Sequence, residues 1–225
     1  MKNIRIEDIE IEVIRKNIKN IYITIYKLDG KVQITAPRRT RDEEIWDFAL
    51  SKLAWVKRHR SNKYQEVQPV KEYVSGEKHL FKGQEYLLNV IYTEKKQKVE
   101  IHNNQIDLYI KEGSTREQRE RVMKEWYRSW LKEEIPKLIE KWEQIIGVKI
   151  DFFGVKLMKT RWGTCNPDTK RIWINLELAK RKPRCLEYIV VHELVHLLER
   201  YHNKRFYAYM DQYLPHWKEI RKELK

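Results

Sequence analysis

Residues 188–198 read YIVVHELVHLL, and no other stretch constrains the chain as strongly. The apolar residues of this run fall on every side of a helical wheel, and a helix that is apolar all round is buried. His192, Glu193 and His196 are carried into the interior with it. A carboxylate with no partner is costly there, and the run contains no lysine or arginine to pair with it. A divalent cation accounts for all three side chains. His192 and His196 stand four residues apart, so both can offer a ring nitrogen to one ion from one helix face. Glu193 is one step round the helix, badly placed as a ligand but well placed to hold a water and accept its proton. This HExxH spacing supplies two zinc ligands and a general base. The competing reading is a pair of structural histidines satisfied inside a core.

A three-ligand site needs one more residue. His202 lies six residues beyond His196, which on a continuous helix would carry it about 9 Å further along and off the shared face. It can join the site only if the helix stops first. Glu199, Arg200 and Tyr201 break the apolar run, and Asn203 is suited to cap a new helix carrying Phe206, Tyr207 and Met210. His202 then falls in the turn between two helices and can fold back, or it is a surface histidine in a loop. The spacing HExxHxxxxxH equals that of metzincins. Their turn glycine is replaced here by Glu199, and no downstream methionine sits in an evident Met-turn, so the chain is not read as a metzincin.

The rest of the chain reads as α+β. IEVIRK (11–16), NIYITIYKL (20–28) and KVQITAP (31–37) alternate as strands, with Asp29-Gly30 as a hairpin turn between the last two. A helix follows over 40–64, with Thr40 as its cap and Glu43 completing a capping box. A second block, HLFKG, QEYLLNVIYTE, QKVEIHN and QIDLYIKEG, reads as an antiparallel meander with turns at Lys82-Gly83 and Asn103-Asn104. A long helix then runs over 115–146, capped by Ser114, ended by Gly147 and kinked at Pro136. VKIDFFGVKLMK (148–159), RWGTCNPDTK (161–170) and RIWINLELA (171–179) supply a few strands before the HExxH helix. The expected division is a β-rich region over 1–113 and a metal-binding domain over 114–225. No internal repeat is legible.

Composition narrows the setting. Cys165 and Cys185 form no CxxC pair and no framework spacing, which points to a reduced, cytoplasmic protein. The first residues contain no apolar core of a signal peptide, and no stretch is apolar for long enough to span a membrane. Lys and Arg number 47 against 33 Asp and Glu, a net +14 that favours polyanionic or acidic partners without specifying one.

With these segments in order, the chain resembles the YgjP-like metallopeptidase family, a SprT-like branch of the zincins. The resemblance rests on RWGTC (161–165), IWINLEL (172–178), YIVVHELVHLLERYHNKRF (188–206) and PHWKEIRKEL (215–224), and spans roughly residues 20 to 225. Thr164 stands where the family has serine, and Tyr201-His202-Asn203 where it has Asn-His-Ser. Neither departure removes a ligand. The resemblance implies a zincin-like C-terminal domain: a long backing helix, a small sheet and the HExxH helix. It implies Zn²⁺ on His192, His196 and His202, with Glu193 as catalytic base. It also implies that Arg161 to Cys165 border the cleft, and that an edge strand there pairs with extended substrate. Arg161 and Tyr207 are candidates for stabilising the oxyanion. Against this, Arg161 could hold a structural ion pair, Tyr207 could belong to the core, and Trp162-Gly163 could be a tight turn under a packed ring. Cys165 reads as a buried thiol rather than a ligand.

The leading function is zinc-dependent hydrolysis of peptide bonds in a peptide or protein substrate. A second reading keeps the metal and changes the substrate to a nucleotide phosphoanhydride, although the chain has no glycine-rich phosphate loop. A third has the basic surface bring the chain to nucleic acid, without any zinc-finger or helix-turn-helix signature. The oligomeric state is left open.

Overall fold

Alternating isoleucines set the first sheet. In the computed structural model, which describes residues 2–25, 31–64 and 71–224, β1 (Lys2–Ile6) turns at Glu7-Asp8 into β2 (Ile9–Lys16). Glu7 takes the left-handed φ of 51° that a tight hairpin requires. The opening IRIEDIEIEV is thus a hairpin in which Ile6, Ile9, Ile11 and Val13 face inward, although its charges disguise β1 in the sequence. β3 (Tyr22–Ile25) and β4 (Val32–Pro37) pair antiparallel, while β4 lies parallel to β2. The turn expected at Asp29-Gly30 lies outside the described residues.

Helix α1 (Asp42–Tyr64) packs Ile45, Ala49 and Val56 onto that sheet, completing a core with Val32, Ile34 and Ala36. It starts later than a Thr40 cap would set it. The Thr40 amide is held by the Pro37 carbonyl, and its own carbonyl accepts from the Arg15 guanidinium. Arg41 therefore precedes the first turn, where Asp42, Glu43 and Glu44 face the positive end of the helix.

The chain divides into two compact units, residues 1–71 and 72–225. The boundary expected at 113/114 falls inside the second. That unit opens with β5 (Lys78–Phe81), β6 (Gln84–Tyr92), β7 (Lys98–His102) and β8 (Gln105–Ile110). The hairpin turns occur as expected, with Lys82, Gly83 and Asn103 at positive φ. The antiparallel meander does not. β6 and β8 are parallel, and β7 lies on the outside of β8. Residues 93–104 form a crossover long enough for that pairing. It places Leu88, Ile106 and Leu108 on the face shared with the long helix α2 (Arg116–Ile146), so these strands and the helix have one core. That shared core joins residues on both sides of 113/114.

Thr115, not Ser114, caps α2. Thr115 and Gln118 exchange bonds in a capping box, Gly147 closes the helix at φ 75°, and the helix runs unbroken through Pro136. A three-stranded sheet follows, ordered β10 (Gly163–Asn166), β11 (Arg171–Asn175), β9 (Phe152–Lys156). A short 3-10 helix (Leu176–Lys180) then leads to α3 (Pro183–Val195), α4 (Lys204–Tyr213) and α5 (Trp217–Glu223). Helix α3 buries nearly every side, as its composition requires.

The two units also share an arrangement that the residues do not reveal. Each opens with four strands in the order first, second, fourth, third, followed by one helix, and in each the second and fourth strands are parallel. Ile11 against Val32 and Leu88 against Ile106 are corresponding buried pairs. Only the alternation of apolar and polar positions is common to the two sequences, and alternation does not identify a repeat.

Candidate metal centre

His192 and Glu193 lie in the last turn of α3, and His196 is its C-cap. The chain leaves the helix through bonds from the Leu197, Leu198 and Glu199 amides back to Leu194 and Val195. It restarts at α4, where the Asn203 side chain accepts from the Phe206 amide at 3.0 Å. His202 sits in that turn and folds back. One ring nitrogen from each of His192, His196 and His202 lies within 4.8 Å of the others, and Nε2 of His192 and Nε2 of His202 are 3.0 Å apart. The fully buried Phe206 forms the floor, its ring 4.9, 4.7 and 4.7 Å from the imidazoles of His192, His196 and His202.

The electrostatics suit a cation. Burial first, then the neighbouring histidines and Arg221, pushes His192 down to about 3. Burial likewise holds His196 and His202 below the usual imidazole range. Neutral imidazoles keep a lone pair for an ion. The Glu199 carbonyl lies 3.1 Å from Nδ1 of His196 and can only accept, so Nδ1 carries the proton and Nε2 is left to ligate. Three neutral nitrogens converging on one point are the donor set that a borderline divalent ion prefers.

Glu193 is 4% exposed, and burial pushes its carboxyl up to about 8 against the opposing pull of Arg161. Its carboxylate rests on the backbone of Gly163, where a Cβ would come within 2.5 Å of Oε1. The segment carrying Gly163 is fixed on both sides. The Trp162 indole donates to the Leu224 carbonyl at 3.1 Å, and its own carbonyl accepts from the Asn175 amide at 2.9 Å. The buried Asn175 side chain donates to the carbonyls of Met158 (2.9 Å) and Arg161 (2.7 Å).

A cavity of about 880 Å³ unites these parts. Arg161, Trp162 and Tyr207 line it together with the three histidines and Glu193. Arg161 makes no ion pair among the described residues, and its charge acts on Glu193. Tyr207 stacks on Trp217 (5.4 Å, 9°), which stacks in turn on Tyr188 (6.4 Å, 7°). Burial, then Glu193, pushes the Cys165 thiol up to about 12, so it stays protonated and offers no thiolate. Sequence reasoning did not single out Phe206 as the floor, Asn175 as the loop anchor, or Trp217 and Arg221 as cavity walls. The i, i+4 spacing of Trp217 and Arg221, which puts both on one helix face, was the available signal for the last pair.

The family model described as YgjP-like, metallopeptidase domain matches residues 19–225. The chain belongs to that family. Membership implies a divalent metal and a peptide substrate, and His192, His196 and His202 are a donor set that fits the ion. No curated protein matches this YgjP-like chain. Among solved structures it is similar to the metallopeptidase zymogen abylysin of Pyrococcus abyssi, at 21% identity over 40% of this chain and 90% of that one (TM-score 0.38). It is similar also to the metallopeptidase zymogen jannalysin of Methanocaldococcus jannaschii, at 19% identity over 40% and 93% (TM-score 0.36).

Proposed function

We propose that this chain is a zinc-dependent peptide hydrolase with a zincin-like site, in which His192, His196 and His202 hold the ion and Glu193 is the general base. The observation that carries this reading is the convergence of three neutral imidazoles beside a buried carboxylate. When bound, zinc supplies Lewis acidity that polarises a carbonyl and acidifies water. Glu193 takes the proton of the attacking water and delivers it to the departing amide nitrogen. A dication nearby opposes the burial that raises this carboxyl and favours the ionised form a base requires. β10 is an edge strand of its sheet and its residues border the cavity, so an extended peptide can pair with it across the site. Arg161 and Tyr207 line the cavity, which supports a role for either as donor to an oxyanion.

Metal content and peptide hydrolysis test this together. Wild type and Glu193→Gln are expected to carry about one zinc per chain, as three-ligand sites do, and His202→Ala to lose most of it. Glu193→Gln is expected to lose hydrolysis by about 100-fold or more. A zinc-loaded wild type inert towards unstructured peptides, or a fully active Glu193→Gln, overturns the reading.

A second reading has one observation in its favour. Arg161, Arg200 and Arg221 line the cavity, where the acidic residues are Glu193 and Asp168. Such a wall suits a polyphosphate, and release of pyrophosphate from nucleoside triphosphates by the same three proteins separates the two substrates.

A further inference from the structure

Helix α5 brings an arginine to the cavity and leaves it without an ion pair. Arg221 stands four residues after Trp217, on the same helix face, and both line the cavity of about 880 Å³. The acidic side chains next to it are taken by other cations. Glu223 meets Arg184 and lies 3.4 Å from Lys182. Asp211 accepts from Lys218 at 3.1 Å and from the Trp217 indole at 2.8 Å. Asp168, in the cavity wall, lies 3.9 Å from Arg200. Arg221 pairs with no carboxylate among the described residues.

The support under Arg221 is fixed. Its guanidinium carbon is 5.9 Å from the centre of the Trp217 ring. Trp217 is buried and stacks on both Tyr188 and Tyr207. These two tyrosines reach the metal centre. Tyr188 is 5.8 Å from the His192 ring, and Tyr207 is 6.3 Å from the His202 ring. One aromatic layer therefore separates Arg221 from two of the three imidazoles. A planar guanidinium held against a fixed ring loses little freedom when its fork takes up a ligand.

The position is unfavourable for a cation at the centre. Burial comes first in lowering His192 and His202, and the charge of Arg221 adds to it at both. A positive group this close opposes a bound dication unless an anion offsets it. No ion-paired carboxylate of the described residues does so at Arg221, which leaves the substrate to bring one.

We propose that Arg221 is a specificity-determining residue, which binds a carboxylate of the substrate near the scissile bond and makes the site prefer acidic peptides. This inference rests on the hydrolase reading above. The carboxylate comes from an aspartate or glutamate side chain or from the C-terminus of a short peptide. Both present two oxygens to the guanidinium fork.

The probes are fluorescein-labelled peptides Ala-Ala-Tyr-Xaa-Ala-Ala. Xaa is Glu, Gln or Lys with an amidated C-terminus, and a fourth peptide has Gln with a free C-terminal carboxylate. Binding is followed by polarisation on zinc-loaded Glu193→Gln, and cleavage on zinc-loaded wild type. The Glu peptide, the free-acid peptide or both are expected to bind about tenfold more tightly than the amidated Gln peptide, and the one that gains identifies the source. Adding Arg221→Gln is expected to abolish the gain. Adding Arg221→Glu is expected to make the Lys peptide the tightest, an inversion that a damaged fold does not produce. Arg221 is exposed, and circular dichroism verifies that each variant is folded. Equal binding of the four peptides, or a gain that survives Arg221→Gln, overturns the inference, and cleavage by wild type then leaves the hydrolase reading standing. Acid-dependent binding with no cleavage of any peptide overturns the hydrolase reading, and the inference falls with it. Adenosine triphosphate bound more tightly than either acidic peptide, and lost in Arg221→Gln, also overturns it and assigns the guanidinium to phosphate.

Discussion

Gly163 and Glu193 occupy a space that has no room for another atom. The close approach of Oε1 leaves a Cβ at 163 nowhere to go, and Glu193 is too buried to swing aside. Gly163→Ala is therefore expected to cost about 1–3 kcal/mol of stability through overpacking. Displacement of the carboxylate should lower kcat by about 100-fold. A thermal melt and a peptide assay on the same sample separate the two effects, and an unaltered kcat would show that the contact is dispensable. Glu193 also sets a pH dependence. Its folded carboxyl is raised from 4.5 to about 8, so the metal-free protein loses stability as pH rises through that window, because the unfolded chain ionises first. Glu193→Gln removes the loss. Its gain in Tm over metal-free wild type should be small at pH 5 and larger at pH 8, and a gain independent of pH would show that Glu193 is already ionised in the fold. The residue identities of this site were legible from the sequence because burial of a helix that is apolar all round makes unpaired polar groups conspicuous. Gly163 was legible only as part of a motif, since its steric role depends on a side chain thirty residues away in another element.

At the scale of elements, the site depends on one helix ending and another beginning. His202 reaches the other imidazoles because α3 stops at Val195 and Asn203 starts α4. Asn203→Ala removes the acceptor for the Phe206 amide, an expected loss of about 1 kcal/mol. Phe206 also floors the three imidazoles, so metal affinity should fall together with Tm. Titration with a competing chelator checks this, and unchanged affinity would mean that the turn is held without its cap. The helix stop and restart were readable from Glu199 to Asn203, because capping chemistry is local. The caps at Thr40 and Ser114 were misplaced by a residue each for a similarly local reason. Each neighbourhood offers more than one polar side chain, and at Thr40 a turn bond to Pro37 together with the Arg15 guanidinium holds the residue outside the helix.

At the scale of the molecule, the division into units governs what can be cut. Residues 72–225 contain a core of their own, in which Leu88, Ile106 and Leu108 join α2 and α3. A chain of residues 72–225 is expected to unfold cooperatively and to bind metal, whereas one of residues 114–225 should express as an uncooperative, aggregating species, having lost one wall of that core. Denaturant melts of the two fragments make the comparison. Cooperative unfolding of the shorter fragment would restore the boundary at 113/114.

By itself, the sequence determined the α+β class, the two hairpins of the second sheet, the span of the long helix and the histidines and carboxylate that come together at the candidate metal centre. All of these follow from periodicity, turn chemistry and the cost of burying charge, which act over a few residues. Only the tertiary structure decided that β6 and β8 run parallel, that the units part after Lys71, that both units repeat one strand order, that Phe206 and Arg221 border the three imidazoles or their cavity, and that Asn175 anchors the loop beside it. Alternation fixes which face of a strand is buried but not which strand lies beside it, and contacts between distant elements leave no periodic trace in the chain.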